Sequence, residues 1–290
     1  MPVLEQKLQE KVTDMSWNVY DIAFRLISPL HIGYRKVSNL QQTRGYVPSK
    51  TLWAALTARL TGDTIYRAQG KDYEHVGEKI NRHIRFSYFY PSLNKCTQCF
   101  TWENEDDFSF RFLDSYMSTA LSYDHFAALE GSLHEIEFIR PQARTRGNEE
   151  SRQVYLVGQV YVHNNLDDTV RNWEKSLEKL QLGGERGYGW GRVELVMCQL
   201  TNENPHDLKK KLKNGKEIQA HVLAETTNCV KGRIEPLIGW ERDNQNKERN
   251  WRLNKPLICF EPGSIVNFDT TSEVTFIIDN YGIWKQVHTL

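Results

Sequence analysis

The chain has 290 residues, and its 37 Lys plus Arg are matched by 37 Asp plus Glu, so its formal charge is zero. Gripping nucleic acid or acidic lipid with a whole surface needs net positive potential, so neutrality excludes that class and leaves room only for a local basic site. No run approaches the ~18 apolar residues of a membrane helix, and mean hydropathy is −0.61.

The N-terminus mixes charges of both signs and has no apolar h-region, which argues against a secretory signal. Five cysteines, an odd number, argue against a disulfide framework and for a reducing cytoplasm. Cys96 and Cys99 form a single C-x-x-C, half of a zinc ligand set, and Cys198, Cys229 and Cys259 stand alone, so no metal or cofactor is expected. The 8 Trp, 13 Tyr and 12 Phe supply apolar area for a real core, so disorder is not expected.

Residues 1–16 read as a charged leader. Val19 to Ile27 alternates around Tyr20, Ile22, Phe24 and Leu26, the pattern of a half-buried strand, and Ser28-Pro29 ends or bends it. A polar stretch, 31–46, leads to Pro48-Ser49. These open a helix carrying Leu52, Trp53, Leu56 and Leu60, which Gly62 should stop. Ile84 to Tyr90 is a second strand closed by Pro91. Residues 92–138 lack a clear period and read as an insertion, with a helix expected near Ser115 to Leu129 and the acidic run 103–107 on its surface. Val154 to His163 is a third strand. Asp167 or Asp168 should cap a helix bearing Val170, Trp173, Leu177 and Leu180, and Arg192 to Leu200 is a fourth strand.

The order from 18 to 200 predicts an α+β fold: a ferredoxin-like (RRM-like) β-α-β-β-α-β unit over 17–200 with an insertion at about 92–138. A lysine-rich linker is expected over 201–216 and a β-rich C-terminal domain over 217–290. The sequence shows no internal repeat and no low-complexity tract.

The most informative stretch is Leu182 to Arg192, in which five of the 18 glycines fall within nine residues: Gly183, Gly184, Gly187, Gly189 and Gly191. Glycine permits positive φ and close approach of a ligand to the main chain, and exposed N–H groups in such a loop form an anion nest. Arg186 and Arg192 add charge, and Tyr188 and Trp190 add flat faces. Together these suit a single strand of RNA. The loop follows a helix and feeds a strand, so a dinucleotide fingerprint does not fit, and without G-K-[ST] it is no P-loop. Arg186-Gly187-Tyr188-Gly189 matches the start of the RNA-recognition signature, but Gly191 breaks it. The same composition also suits a turn whose aromatics pack inward.

A second basic segment holds Arg140, Arg144, Arg146 and Arg152. It precedes the central third strand, from which it could reach across the sheet face, although such runs are commonly solvated. Catalytic constellations are thin: there is no H-x-x-x-H metal spacing and no G-x-S-x-G elbow, and His31 is a lone candidate acid or base.

These residues resemble the RAMP superfamily of CRISPR-associated proteins. Ser28-Pro29-Leu30-His31-Ile32-Gly33 and Tyr46-Val47-Pro48-Ser49-Lys50-Thr51-Leu52 are similar to the family's first strand, loop and helix start, with Lys50 and Ala54-Ala55 replacing the usual residues. L-G-G-E-R-G-Y-G-W-G-R-V is similar to its glycine-rich hallmark. Ile238-Gly239-Trp240 with Pro262-Gly263-Ser264-Ile265-Val266, and the strand Ile84 to Pro91, resemble the Cas-five-like (Csx-ten-like) branch.

The resemblance implies a cytoplasmic, non-catalytic subunit of a type III CRISPR effector complex in antiviral defence. Such a subunit holds the 5′ handle of the CRISPR RNA and docks the large subunit and the first backbone subunit. Gly183 to Gly191, Arg186, Arg192, Tyr188, Trp190 and the arginines of 140–152 would contact RNA, joined by His31, Arg44 and Lys50. No carboxylate lies between Gly33 and Val47, where the family's slicing subunits carry an aspartate, and about 100 residues follow the glycine loop, unlike the guide-processing enzymes. Two other readings stay open: a metal-independent endoribonuclease using His31, and a protein–protein adaptor.

Overall fold

The computed structural model describes residues 16–124, 126–147, 150–242, 251–268 and 273–287. The expected leader thus falls almost wholly outside the described residues. The first strand, β1 (Trp17–Leu26), is followed by a hairpin, β2 (Gly33–Val37) and β3 (Leu40–Thr43). Helices α1 (Ser49–Thr64) and α2 (Gly70–His83) lead into a broken edge strand, β4 (Ile84–Phe86) and β5 (Tyr90–Ser92). The insertion holds α3 (Glu105–Phe112), β6 (Leu113–Ser118), β7 (Leu121–Ser122), β8 (Ala127–Ala128), β9 (His134–Ile139), β10 (Gln142–Ala143) and β11 (Arg152–Gln153). Then come β12 (Tyr155–His163), a short α4 (Trp173–Leu177) and β13 (Val193–Leu200).

The central sheet runs β13-β1-β12-β4, with β5 also on β12, and all of its pairings are antiparallel. Chain order and sheet order together are those of a split β-α-β unit. Tyr20, Ile22, Phe24 and Leu26 of β1 and Leu156, Val160 and Val162 of β12 face α1 and α2 and build the larger core. Burying one of these large apolar side chains contributes roughly 1.5–3 kcal/mol.

α1 buries Leu52, Ala55, Leu56 and Leu60. It runs past Gly62, where a stop was expected, because a glycine mid-helix costs only ~1 kcal/mol and the hydroxyls of Thr57, Thr61 and Thr64 bond back to carbonyls of the preceding turn. α2 was not among the expected elements, although Tyr73, Val76 and Ile80 fall at helical spacing. Gln69 closes a capping box with Asp72, and the helix meets α1 where Trp53 Nε1 donates to Gly77 O at 2.9 Å. A Cβ at Gly77 would lie 2.8 Å from the Trp53 ring, so glycine permits that approach.

The helix expected over 115–129 is not there. The acidic run instead forms the first turn of α3, where Asn104 accepts the Asp107 N–H and carboxylates suit the helix dipole. Residues 113–118 pair with 134–139, and the four strands β2-β3-β9-β6 make a second sheet that includes the polar stretch 33–43.

The lysine-rich segment is not a linker. It contains β14 (Lys209–Lys213), and its lysines alternate with the inward-facing Lys210 and Leu212. The remaining strands are β15 (Val222–Leu223), β16 (Val230–Lys231), β17 (Ile234–Leu237), β18 (Trp240–Arg242), β19 (Trp251–Leu253), β20 (Leu257–Phe260), β21 (Ile265–Val266), β22 (Glu273–Ile278) and β23 (Trp284–Gln286). A six-stranded sheet, β14-β22-β23-β15-β20-β17, covers the second face of the central sheet. There Val19, Tyr88, Tyr90 and Tyr161 share a core with Ile218, Val222, Phe276 and Trp284. A cleft of about 680 Å³, lined by Asp21, Gln159, Tyr161 and Lys210, remains between the two layers. Among the described residues, no helix is long and apolar enough to cross a membrane.

Candidate nucleic-acid interface

The glycine loop is built partly for its own fold. Gly183 and Gly191 have φ of +73° and +77°. A Cβ would meet His31 O at 2.2 Å from position 183 and Leu182 O at 1.8 Å from position 191, so no side chain fits at either. Gly184 N donates to His31 O at 2.8 Å and Gly191 N to Pro29 O at 2.7 Å, which docks the loop on the segment after β1. A single 3₁₀ turn, Arg186–Tyr188, closes the N–H groups of Tyr188, Gly189 and Trp190 onto Glu185 and Arg186 carbonyls. Most donors of the expected anion nest are therefore committed. The N–H groups of Arg186 and Gly187, at the start of the turn, have no backbone partner.

The loop's side chains divide. Tyr188 is 84% exposed. Trp190 is half-buried and lies edge-on to Phe138 of β9 at 5.0 Å, so it serves packing rather than base stacking. Arg186 and Arg192 are exposed, and neither forms an ion pair among the described residues.

The basic segment behaves differently. Arg140 and Arg144 share the Asp114 carboxylate, and Arg146 reaches Asp107 at 3.4 Å and lies over the Phe110 ring. Asp114 is shared by two arginines and Asp107 also pairs with Arg111, so the carboxylates hold these side chains in place and offset only part of their charge. Arg152, on β11, is exposed and has no ion pair among the described residues.

His31 is 6% exposed, with Nδ1 2.7 Å from the Glu137 carbonyl. It sits behind the loop as a spacer between Gly184 and β9.

Arg44 is a correction of another kind. Its guanidinium makes a bidentate pair with Glu235 at 2.6 and 2.7 Å, and both side chains are 11% exposed. The chain of contacts continues inward: Glu235 Oε1 is 2.5 Å from His221 Nε2, and His221 Nδ1 is 2.6 Å from the Tyr88 hydroxyl. With Tyr88 donating to Nδ1, and Nε2–H donating to Glu235, a neutral histidine satisfies every partner. Burial holds His221 below its usual pKa and pushes the Tyr88 and Tyr46 phenols up. Burial opposes ionisation of Glu235, but its bonds to His221 and Arg44 outweigh it and hold the carboxyl at about 2. This string ties β17 and the residue just before β15 to Arg44, between β3 and α1, and to Tyr88, in the break between β4 and β5. Sequence reasoning missed His221, Glu235 and Tyr88; the one available signal was a histidine within the apolar run Ala220-His221-Val222-Leu223.

A groove of about 490 Å³ collects five of the expected residues, Gly183, Gly184, Arg186, Arg44 and Lys50. Its floor is the small-residue face of α1, Ala54, Ala55 and Ala58, and its far wall is Ile238, Leu257 and Tyr281 from the C-terminal part. Lys50 stands at the start of α1 with its ammonium 5.2 Å from the Tyr281 ring centroid. Among the described residues, no carboxylate lines this groove. Tyr188 and Arg192 project from the loop outside it. Among the described residues, no cluster of three or more His, Cys, Asp or Glu could hold a metal ion.

Fold and loop together define a RAMP-type α+β protein. The family model of the RAMP superfamily matches residues 23–194, more than half of the chain, and the chain belongs to that superfamily. Solved structures similar to it include a type III-B Cmr-beta complex in the apo state, at 10% identity and a TM-score of 0.42 over 64% of this chain and 98% of that one. Another is type III-B Cmr-beta bound to cognate target RNA, at 13% identity and a TM-score of 0.40 over 69% of this chain and 66% of that one. No curated protein matches the sequence.

Proposed function

We propose that this chain is a non-catalytic, cytoplasmic RNA-binding subunit of a type III CRISPR effector complex. In this reading its RRM-like unit and glycine loop hold the 5′ handle of the CRISPR RNA, and its remaining surface docks the large subunit and the first backbone subunit. The observation that supports it best is the groove beside the glycine loop, lined by Arg186 and, among the described residues, by no carboxylate, with Arg192 exposed nearby. Phosphates would take Arg186, Arg192 and Arg152, together with the Arg186 and Gly187 N–H groups, and Tyr188 would stack on a base. Arg44, His31, Trp190 and the glycines at 183 and 191 would hold the loop and groove in shape.

The purified chain should bind guide RNA and leave repeat-derived RNA uncut in the presence of chelator. Replacing Arg186 and Arg192 together should release the RNA without changing the melting temperature. Specific cleavage abolished by His31→Ala would overturn the reading in favour of a metal-independent endoribonuclease.

A further inference from the structure

A second groove, of about 650 Å³, lies on the other side of Arg44 between the insertion and the C-terminal part. Arg44 lines both grooves, and the neighbours Gly33 and Tyr34 line one each, so a strand leaving the first groove enters the second directly. The second groove differs in its chemistry. Its inner wall carries the rings of Tyr34, Tyr46 and Trp102 and the half-buried carboxylates Glu137 and Glu261. Arg35, Lys231 and Arg233 are exposed along it, and none of the three pairs with a carboxylate among the described residues. Glu105 is the exposed acid on the same groove.

The carboxylates are half used. Glu261 Oε1 accepts the Tyr34 hydroxyl at 3.1 Å and Glu137 Oε2 accepts the Thr43 N–H at 2.9 Å, leaving each with a second oxygen that has no partner among the described residues. Acids inside repel phosphate, so this is not a plain extension of the backbone track. A carboxylate oxygen beside flat rings accepts hydrogen bonds from the amino edge of a base, and cations at the mouth suit the flanking phosphates.

We infer that this groove is a pocket for one unstacked nucleobase bearing an exocyclic amino group, read by Glu261 and Glu137 and framed by Arg35, Lys231 and Arg233. The inference rests on the RNA-binding reading above. An amino-bearing base donates to the carboxylates, whereas uracil turns its O4 acceptor toward them.

The test uses the full chain and labelled single-stranded decamers of adenylate, cytidylate and uridylate. Adenylate and cytidylate should bind about tenfold more tightly than uridylate, the scale of one hydrogen bond to a charged group. Glu261→Gln should abolish most of that preference with an unchanged melting temperature. Arg233→Ala should weaken all three decamers alike and flatten the salt dependence. Equal binding of the three by the native chain, or a preference that survives both Glu261→Gln and Glu137→Gln, would overturn the pocket. If the decamers bind through Arg186 and Arg192 without any base preference, the pocket alone fails. If none binds, the RNA-binding reading fails with it.

Discussion

Replacing Arg44 with methionine should destabilise the protein rather than weaken its hold on RNA. The substitution keeps the aliphatic stem and removes the guanidinium, leaving the Glu235 carboxylate, 11% exposed, without the two bonds at 2.6 and 2.7 Å. Removing one partner of a buried ion pair costs about 3–5 kcal/mol, because the other charge stays desolvated. For 290 residues the unfolding entropy is roughly 0.6 kcal/mol per kelvin. A loss of that size therefore lowers the melting temperature by about 5–8 °C. The assay is urea and thermal denaturation of the native, Arg44→Met, Glu235→Leu and double variants. The double variant should recover a large part of the loss, since two apolar groups leave no orphaned charge. A single-variant cost below ~1 kcal/mol, or strictly additive losses, would refute the claim that this pair ties the two parts of the chain together.

The same string makes stability sensitive to acid in two stages. His221 is held below its ordinary value of 6.5, so the unfolded chain takes up that proton first and stability falls as pH drops through the region below 6.5. Glu235, held at about 2 against an ordinary 4.5, contributes stability above pH 4.5 that is lost between 4.5 and 2, worth ~3 kcal/mol at pH 7. Urea midpoints across pH 3–8 check both, and a flat profile from 7 to 4.5 would contradict the His221 stage. Gly191→Ala should cost at least ~2 kcal/mol through its left-handed backbone and the clash with Leu182 O. Gly187→Ala, with open space around it, should stay within ~0.5 kcal/mol. Arg140→Ala should leave RNA affinity and its salt dependence unchanged, because Asp114 and the Gln142 carbonyl already hold that guanidinium; a filter-binding titration decides.

The central strands were legible because their alternation is strict: Ile22, Phe24 and Leu26 point one way along β1 and set its register. The helix start at Pro48-Ser49 was legible for the same local reason. α2 was not, since Gln69 is an unusual cap and only Val76, Gly77 and Ile80 are buried. The strand over 113–118 was misread as helix because its burial is set by a partner at 134–139 rather than by its own period. In the site, composition located the glycine loop and its free arginines. It could not distinguish Arg186 from Arg44 or Arg140, whose carboxylate partners lie 191 and 26 residues away in the chain. The lysines at 209–213 looked like a linker by charge, although Lys210 and Leu212 alternate inward in the manner of a strand.

The most direct test of the RNA-binding reading is the salt dependence of guide-RNA affinity for the native chain and for the Arg186→Ala/Arg192→Ala variant. Each phosphate contact on a single strand contributes ~0.7 to the slope of log affinity against log salt, so the double variant should have a slope smaller by about 1.4. A fourfold rise in salt should then cost the native chain about sevenfold more affinity than the variant. Identical slopes and affinities for the two proteins would contradict the account.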